Sequence, residues 1–320
     1  MDKLNIVMLD AKPLIHDDLC LLKLHALGDV IVYDRTDEDQ LILRALEADI
    51  LLVNKVRLNE NHFSQLPKLR YIGVTATGVD NIDLAAAAKH HIVVTNVPSY
   101  GSLSVAQHVL ALLLTHTNHV EAHHQSIQQG HWQTQPYFSY WLNPITELAG
   151  LTLGLLGFGQ VAQRVAFIGE ALGMNVIAHR LTPFQNEHAE WVSLTDLFQQ
   201  SDVLSLHCPL TELTHKIINQ ETLGQMKATA ILINTSRGSL VDEPALATAL
   251  KQQQITAAYL DVLSQEPPHP ENPLLALKNC IITPHMAWAS VATRKRLLNI
   301  VCENIIHYLN QEPIHMVQVR

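Results

Sequence analysis

Short apolar runs alternate along the chain with stretches whose apolar residues recur at helical spacing. Residues 6–9, 30–33, 50–53, 71–74 and 92–95 have the length and composition of buried strands, and 37–46 and 84–90 between them carry the helical period. Strands separated by helices predict a parallel sheet covered on both faces, so the first hundred residues read as one α/β unit. A breaker cluster at 98–101 follows, and Ser102 opens a helical pattern expected to run to about Gln129. Residues 130–144 lose any period and gather Trp132, Tyr137, Phe138, Tyr140 and Trp141, an interface or lid composition as much as a packed loop. The alternation then resumes. Strand-like runs at 152–156, 176–178, 203–207, 231–234, 257–261 and 280–283 are interleaved with helical patterns at 194–200, 221–226 and 243–251, which predicts a second doubly wound sheet. A last helical pattern, 291–309, has no sheet of its own and is expected to pack back on the first unit.

The run at 152–156 ends in Gly157, Gly159 and Ala162, the three small positions of a G-x-G-x-x-G/A turn between strand and helix. Gly157 permits the tight turn, Gly159 lets a pyrophosphate approach the backbone, and Ala162 lets the helix pack closely. Strand before, helix after and a second strand at 176–178 raise this from a bland turn to a dinucleotide site whose phosphates meet free helix N–H groups.

Composition narrows the class. At 320 residues with 48% apolar and 16% charged side chains, the chain suits two soluble globular domains. A net charge of −9 offers no basic face, which argues against nucleic acid. The longest apolar run, 109–114, is too short to span a bilayer, and no signal peptide opens the chain, so the expectation is a cytoplasmic protein away from membranes. Cys20, Cys208, Cys280 and Cys302 show no C-x-x-C pair and read as free thiols of a reducing compartment. Nineteen histidines include His116, His119, His123 and His124 at helical spacing, but no carboxylate or H-E-x-x-H accompanies them, so no metal is expected.

Three polar residues follow strands of the second sheet: Arg237 in NTSRGSLVDE, Glu266 in LDVLSQEPP and His285 in TPHMAWAS. Ligands of open α/β sheets bind beyond the carboxyl ends of strands. Together the three meet the needs of carbonyl reduction in a 2-oxo acid. Charge builds on the carbonyl oxygen, and histidine is the side chain that gives up a proton near neutral pH. A carboxylate beside it orients the ring, and a guanidinium binds carboxylate and carbonyl while staying charged.

Seven collinear stretches carry a family resemblance: TATGVDNIDLAAA, VTNVPSYGSLSVAQH, ITELAGLTLGLLGFGQVAQRV, SDVLSLHCPLT, LINTSRGSLVDE, LDVLSQEPP and TPHMAWAS. With them the chain resembles the D-2-hydroxyacid dehydrogenases, and within these the glycerate dehydrogenase and hydroxypyruvate reductase group. The resemblance implies a flavodoxin-like substrate domain from residues 1–100 and 286–320 and a Rossmann cofactor domain from 101–285. It implies Arg237, Glu266 and His285 as catalytic residues. It implies Gly157, Gly159, Gln160 and Val161 at the pyrophosphate, Cys208 and Pro209 on the adenosine side, Thr235 and Asp261 toward the nicotinamide, and Ser236 and Ala287 as further cofactor contacts. Thr77 would reach cofactor and substrate, and Lys55, Val56, Gly78 and Trp288 the substrate. The aromatic loop resembles a segment that crosses a homodimer interface, with Trp141 as the residue offered to the partner. Gln107 stands where many relatives carry glutamate, a departure also found within the resembling group.

Arg180 is the departure with a consequence. It ends the second strand of the dinucleotide unit, where an NAD enzyme usually places an acid for the ribose hydroxyls. A cation there removes repulsion of a 2′-phosphate and could bind it, with Thr182 as a second donor, so NADP(H) is favoured and NAD(H) left open. The alternative is a solvent-facing arginine in an NAD enzyme that lacks the acid. The expected activity is reduction of hydroxypyruvate or glyoxylate to D-glycerate or glycolate. A dinucleotide-sensing binding protein of corepressor type is the competing reading on this fold; the complete catalytic set and the lack of a recruitment tail count against it.

Overall fold

The computed structural model describes residues 3–16 and 18–318. Its contacts divide into two compact units, Met1–Gly101 with Ala289–Arg320, and Ser102–Trp288.

In the first unit, β1 (Asn5–Met8), β2 (Asp29–Val32), β3 (Ile50–Val53), β4 (Tyr71–Val74) and β5 (Val93–Thr95) form one sheet in the order β2-β1-β3-β4-β5, every pairing parallel. Helices α1 (Leu22–His25), α2 (Glu38–Ala45), α3 (Glu60–Phe63) and α4 (Leu84–Lys89) connect the strands. β3 and β4 are buried along their whole length because helices cover both faces, which explains ILLV and YIGV in place of an alternating pattern. The short α3 went unread in the sequence; an Asn59 capping box with His62 holds it.

In the second unit, α5 (Ser102–Asn118) and α6 (Val120–Gln128) precede β6 (Thr152–Leu156), α7 (Gln160–Ala171), β7 (Asn175–His179), β8 (Glu190–Trp191), α8 (Leu194–Gln200) and β9 (Val203–Leu206). Then come α9 (Gln220–Leu223), β10 (Ile231–Asn234), a 3-10 turn (Gly238–Leu240), α10 (Glu243–Lys251), β11 (Ala257–Leu260) and β12 (Cys280–Ile282). The sheet runs β12-β11-β10-β9-β6-β7-β8, every pairing parallel, and the strand order reverses between β6 and β9, the topological switch point. Alternate residues feed opposite cores: Leu232 joins one apolar cluster with Leu204 and Leu260, while Ile231 and Ile233 join the other with Leu153 and Leu155.

The final helix, α11 (Val291–Leu309), packs on α1 and β4 of the first unit. Arg294, buried on its inner face, donates to the Leu14 carbonyl and to both Asp18 oxygens at 2.9 and 2.6 Å.

The single helix expected from Ser102 to Gln129 is two. His119 adopts φ 49°, ψ 35° between α5 and α6, a left-handed residue that a right-handed helix cannot contain. The apolar period runs on past the break, so spacing alone conceals it. The histidines there serve the break: His123 Nδ1 donates to the His119 carbonyl at 2.8 Å, and its Nε2 accepts the Leu142 N–H at 3.1 Å. Among the described residues no group of three or more His, Cys, Asp or Glu is placed to hold a metal ion, and no helix is long and apolar enough to cross a membrane.

Candidate active site

Register sets three strand ends side by side. Asn234 pairs with Leu260 and Leu260 with Ile282, and Arg237, Glu266 and His285 lie in the loops leaving those ends. Loops and helix N-termini gather at this carboxyl edge, which makes it the ligand side of an open sheet.

His285 is the most constrained of the three. Its backbone is left-handed, φ 52°, which a Cβ-bearing residue adopts only where its surroundings enforce it. Asp261, buried just beyond β11, enforces it. One carboxylate oxygen accepts from Thr283 Oγ1 at 2.6 Å and the Met286 N–H at 2.9 Å, and the other accepts the Ala287 N–H at 2.9 Å. The Asp261 carbonyl takes the His285 N–H at 2.8 Å, and Trp288 Nε1 donates to the His285 carbonyl at 3.0 Å. His108 on α5 joins the knot, its Nε2 lying 3.1 Å from Thr283 Oγ1. So held, His285 Nδ1 lies 2.6 Å from Glu266 Oε2, with the two side chains 30% and 33% exposed. With Glu266 ionised, and so only accepting, Nδ1 carries the proton of this bond and Nε2 is the ring atom turned away from it.

The loops of the other two are braced from below. Glu266 Oε1 accepts the Leu263 N–H at 3.1 Å, and buried Glu243 accepts the Ser264 N–H and Asn272 Nδ2, both at 2.6 Å. Buried Asn234 accepts the Ser236 N–H at 3.0 Å and donates to the Arg237 carbonyl at 2.9 Å. Gly238 follows because no Cβ fits there: it would overlap the Leu263 carbonyl.

The glycine turn fits a dinucleotide. Gly157 has φ 93°, and its Cβ would stand 2.6 Å from the Cys208 nitrogen, so both turn and close packing require glycine. A Cβ at Gly159 would meet nothing within 4 Å, leaving open space before α7. That helix starts with no side-chain cap and no acid in its first turn, so the amides at Gln160 and Val161 suit an anion. Beyond β10, Thr235 Oγ1 is buried without a hydrogen-bond partner, the one such side-chain atom among the described residues. An orphaned buried hydroxyl is what a bound polar group would satisfy. Ser236 Oγ donates to the Cys208 carbonyl at 2.8 Å, while burial pushes the Cys208 thiol up to about 11, which disfavours the thiolate, and Pro209 beside it is exposed. Exposed Arg180 donates from Nε to the Thr182 carbonyl at 2.8 Å.

Lys55, Val56, Thr77 and Gly78 belong to the first unit, after the neighbouring strands β3 and β4. Asp10, which the sequence reading passed over, organises the first pair: its carboxylate accepts the N–H groups of Asn54, Lys55 and Val56 at 2.7, 2.5 and 2.9 Å. Burial pushes this carboxyl above its ordinary range, and the three amides pull it partly back. Thr77 Oγ1 donates to the Val97 carbonyl at 2.9 Å.

Residues 110–287 match the model of the D-isomer specific 2-hydroxyacid dehydrogenase NAD-binding domain. A hydroxypyruvate reductase from Blautia hydrogenotrophica is 41% identical over 98% of this chain and 99% of its own. A glycerate dehydrogenase from Methylorubrum extorquens is 39% identical over 88% of each chain. Among solved structures, an NADPH-dependent glyoxylate/hydroxypyruvate reductase from Sinorhizobium meliloti, in complex with NADP and malonate, superposes with a TM-score of 0.83 at 29% identity, covering 99% of this chain and 97% of that one. The chain belongs to the D-isomer specific 2-hydroxyacid dehydrogenases, oxidoreductases that use a nicotinamide dinucleotide.

Proposed function

We propose that this protein reduces hydroxypyruvate or glyoxylate, reversibly, to D-glycerate or glycolate, with NADPH favoured over NADH. The carrying observation is the 2.6 Å bond from His285 Nδ1 to Glu266 Oε2, which fixes the ring with Nε2 available. The nicotinamide dinucleotide, when bound, supplies hydride to the carbonyl carbon. The protein's own work is to hold the 2-oxo acid through Arg237 and to deliver a proton from His285 Nε2 to the carbonyl oxygen as negative charge builds there. Glu266 keeps the ring oriented and balances its charge before transfer.

Gly157, Gly159, Gln160 and Val161 are assigned to the pyrophosphate, Cys208 and Pro209 to the adenosine, Thr235 and Asp261 to the nicotinamide side, and Ser236 and Ala287 to the cofactor without a subsite. Thr77 would serve cofactor and substrate, and Lys55, Val56, Gly78 and Trp288 the substrate. The first unit thus acts as substrate domain and the second as cofactor domain. NADPH preference is supported by Arg180, an exposed cation whose terminal nitrogens have no partner among the described residues, and by the NADPH dependence of the Sinorhizobium relative. A homodimer is supported by the exposed Trp132, Tyr137, Phe138 and Trp141 after α6. The free thiols suit the reducing cytoplasm.

The test is a spectrophotometric assay of the purified protein with NADPH and NADH against hydroxypyruvate, glyoxylate and pyruvate. Turnover of hydroxypyruvate or glyoxylate, faster with NADPH, is expected; oxidation of neither cofactor by any of the three acids would sink the proposal. Light scattering checks the assembly, and a monomeric mass would refute the dimer.

A further inference from the structure

Two aromatic rings and one cation are stacked beside the glycine turn. Phe158, the residue between the two glycines, is buried and lies face to face with Phe184, centroids 4.2 Å apart and planes 13° from parallel. The Arg180 guanidinium carbon stands 5.3 Å from the centroid of the same Phe184 ring. The guanidinium is also tied at Nε to the Thr182 carbonyl, and the Arg180 carbonyl accepts Trp191 Nε1 at 3.0 Å. An exposed arginine ordinarily samples many rotamers and loses that freedom on binding an anion. Here Nε is committed, an aromatic face lies beside the guanidinium, and both terminal nitrogens are left for a ligand with no partner among the described residues. Phe184 in turn is registered by a ring built into the turn itself.

From this geometry we infer that Phe184 is a specificity-determining residue for the cofactor, acting by positioning Arg180 for a 2′-phosphate. The inference rests on the reading of Arg180 given above and adds the device that makes it selective. The stack transmits the position of the pyrophosphate turn, through Phe158 and Phe184, to the cation that would meet the ribose end of the same molecule. A dinucleotide without the 2′-phosphate gains nothing from it. Loss of the ring should therefore cost NADPH affinity and leave NADH affinity in place.

Fluorescence titration of the whole protein with NADPH and with NADH, in the absence of substrate, tests this in the wild type, Phe184→Leu, Phe184→Tyr, Arg180→Gln and the double variant. Leucine keeps apolar bulk without a ring, and tyrosine restores the ring. The expected result is an NADPH-over-NADH preference in the wild type that falls about three- to fivefold in Phe184→Leu, the scale of one exposed cation–π contact. It should return in Phe184→Tyr and fall no further when Phe184→Leu is added to Arg180→Gln. Equal weakening of both nucleotides in Phe184→Leu, or an unchanged ratio there while Arg180→Gln collapses it, overturns the role of Phe184 and leaves the reading of Arg180 standing. A ratio that Arg180→Gln does not change removes both.

Discussion

An aspartate placed within two residues of an apolar strand's end collects the amides of a neighbouring loop in both units. Asp10 after β1 gathers Asn54, Lys55 and Val56, and Asp261 after β11 gathers Met286 and Ala287. Each fixes a loop to which the resemblance assigns ligand contacts, and each follows a leucine at or just beyond the end of a strand, in VMLD and AYLD, a pattern too common to mark Asp10 by itself. Arg237, Glu266 and His285 stand out as candidates in the sequence because their chemistry is specific, and the structure sets them after adjacent strands. The supports do not stand out, because a buried Asn234 or Glu243 has no sequence mark until its partners are known. His285 yields a residue-level prediction. Asparagine tolerates left-handed backbone but offers no titrating ring, so His285→Asn should keep the loop and lower kcat by about 10² or more. Steady-state kinetics alongside nucleotide titration checks this; NADPH affinity should stay within about twofold, and unchanged turnover would refute the acid role.

Elements were legible wherever period and burial agreed. β3, β10 and α11 sit on their expected residues, because a fully buried strand or a long amphipathic helix has few alternatives. Short pieces escaped: β8 has two residues and pairs only with β7 at the sheet edge, and α3 depends on its cap. The split at His119 escaped for the opposite reason, since both helices share one period. At this scale the turn between β6 and α7 is the sharpest target. Alanine at Gly157 would be forced to φ 93° with its Cβ 2.6 Å from the Cys208 nitrogen. Gly157→Ala should cost about 1–3 kcal/mol of stability and weaken both nucleotides together. Denaturant midpoints with binding titrations report it, and a wild-type midpoint would contradict the packing argument.

For the whole molecule, pH acts through a group outside the proposed chemistry. His207 lies at the sheet reversal beside Gly157, its Nε2 2.9 Å from Ser205 Oγ. Burial pushes its pKa from 6.5 down to about 4. Between those values the unfolded chain binds a proton that the folded chain refuses, so this contribution is complete above about pH 6.5 and is lost as pH falls toward 4. The loss is on the order of 3 kcal/mol. Urea unfolding near pH 7 and near pH 4.5 should show a steeper decline in the wild type than in His207→Gln, and parallel declines would exclude this source.

His285 hangs from β12, which lies at one margin of the seven-stranded sheet and, among the described residues, pairs with β11 alone. Marginal strands fray before the centre opens, with free energies well below that of global unfolding. The proposed proton donor is thus mounted next to a marginal strand, while the glycine turn follows a central one. Mild denaturant would then uncouple the two capacities: a population could still hold nucleotide yet have its acid out of place. On the proposed roles, catalysis becomes a reporter of breathing at one sheet margin, and nucleotide retention a reporter of the interior.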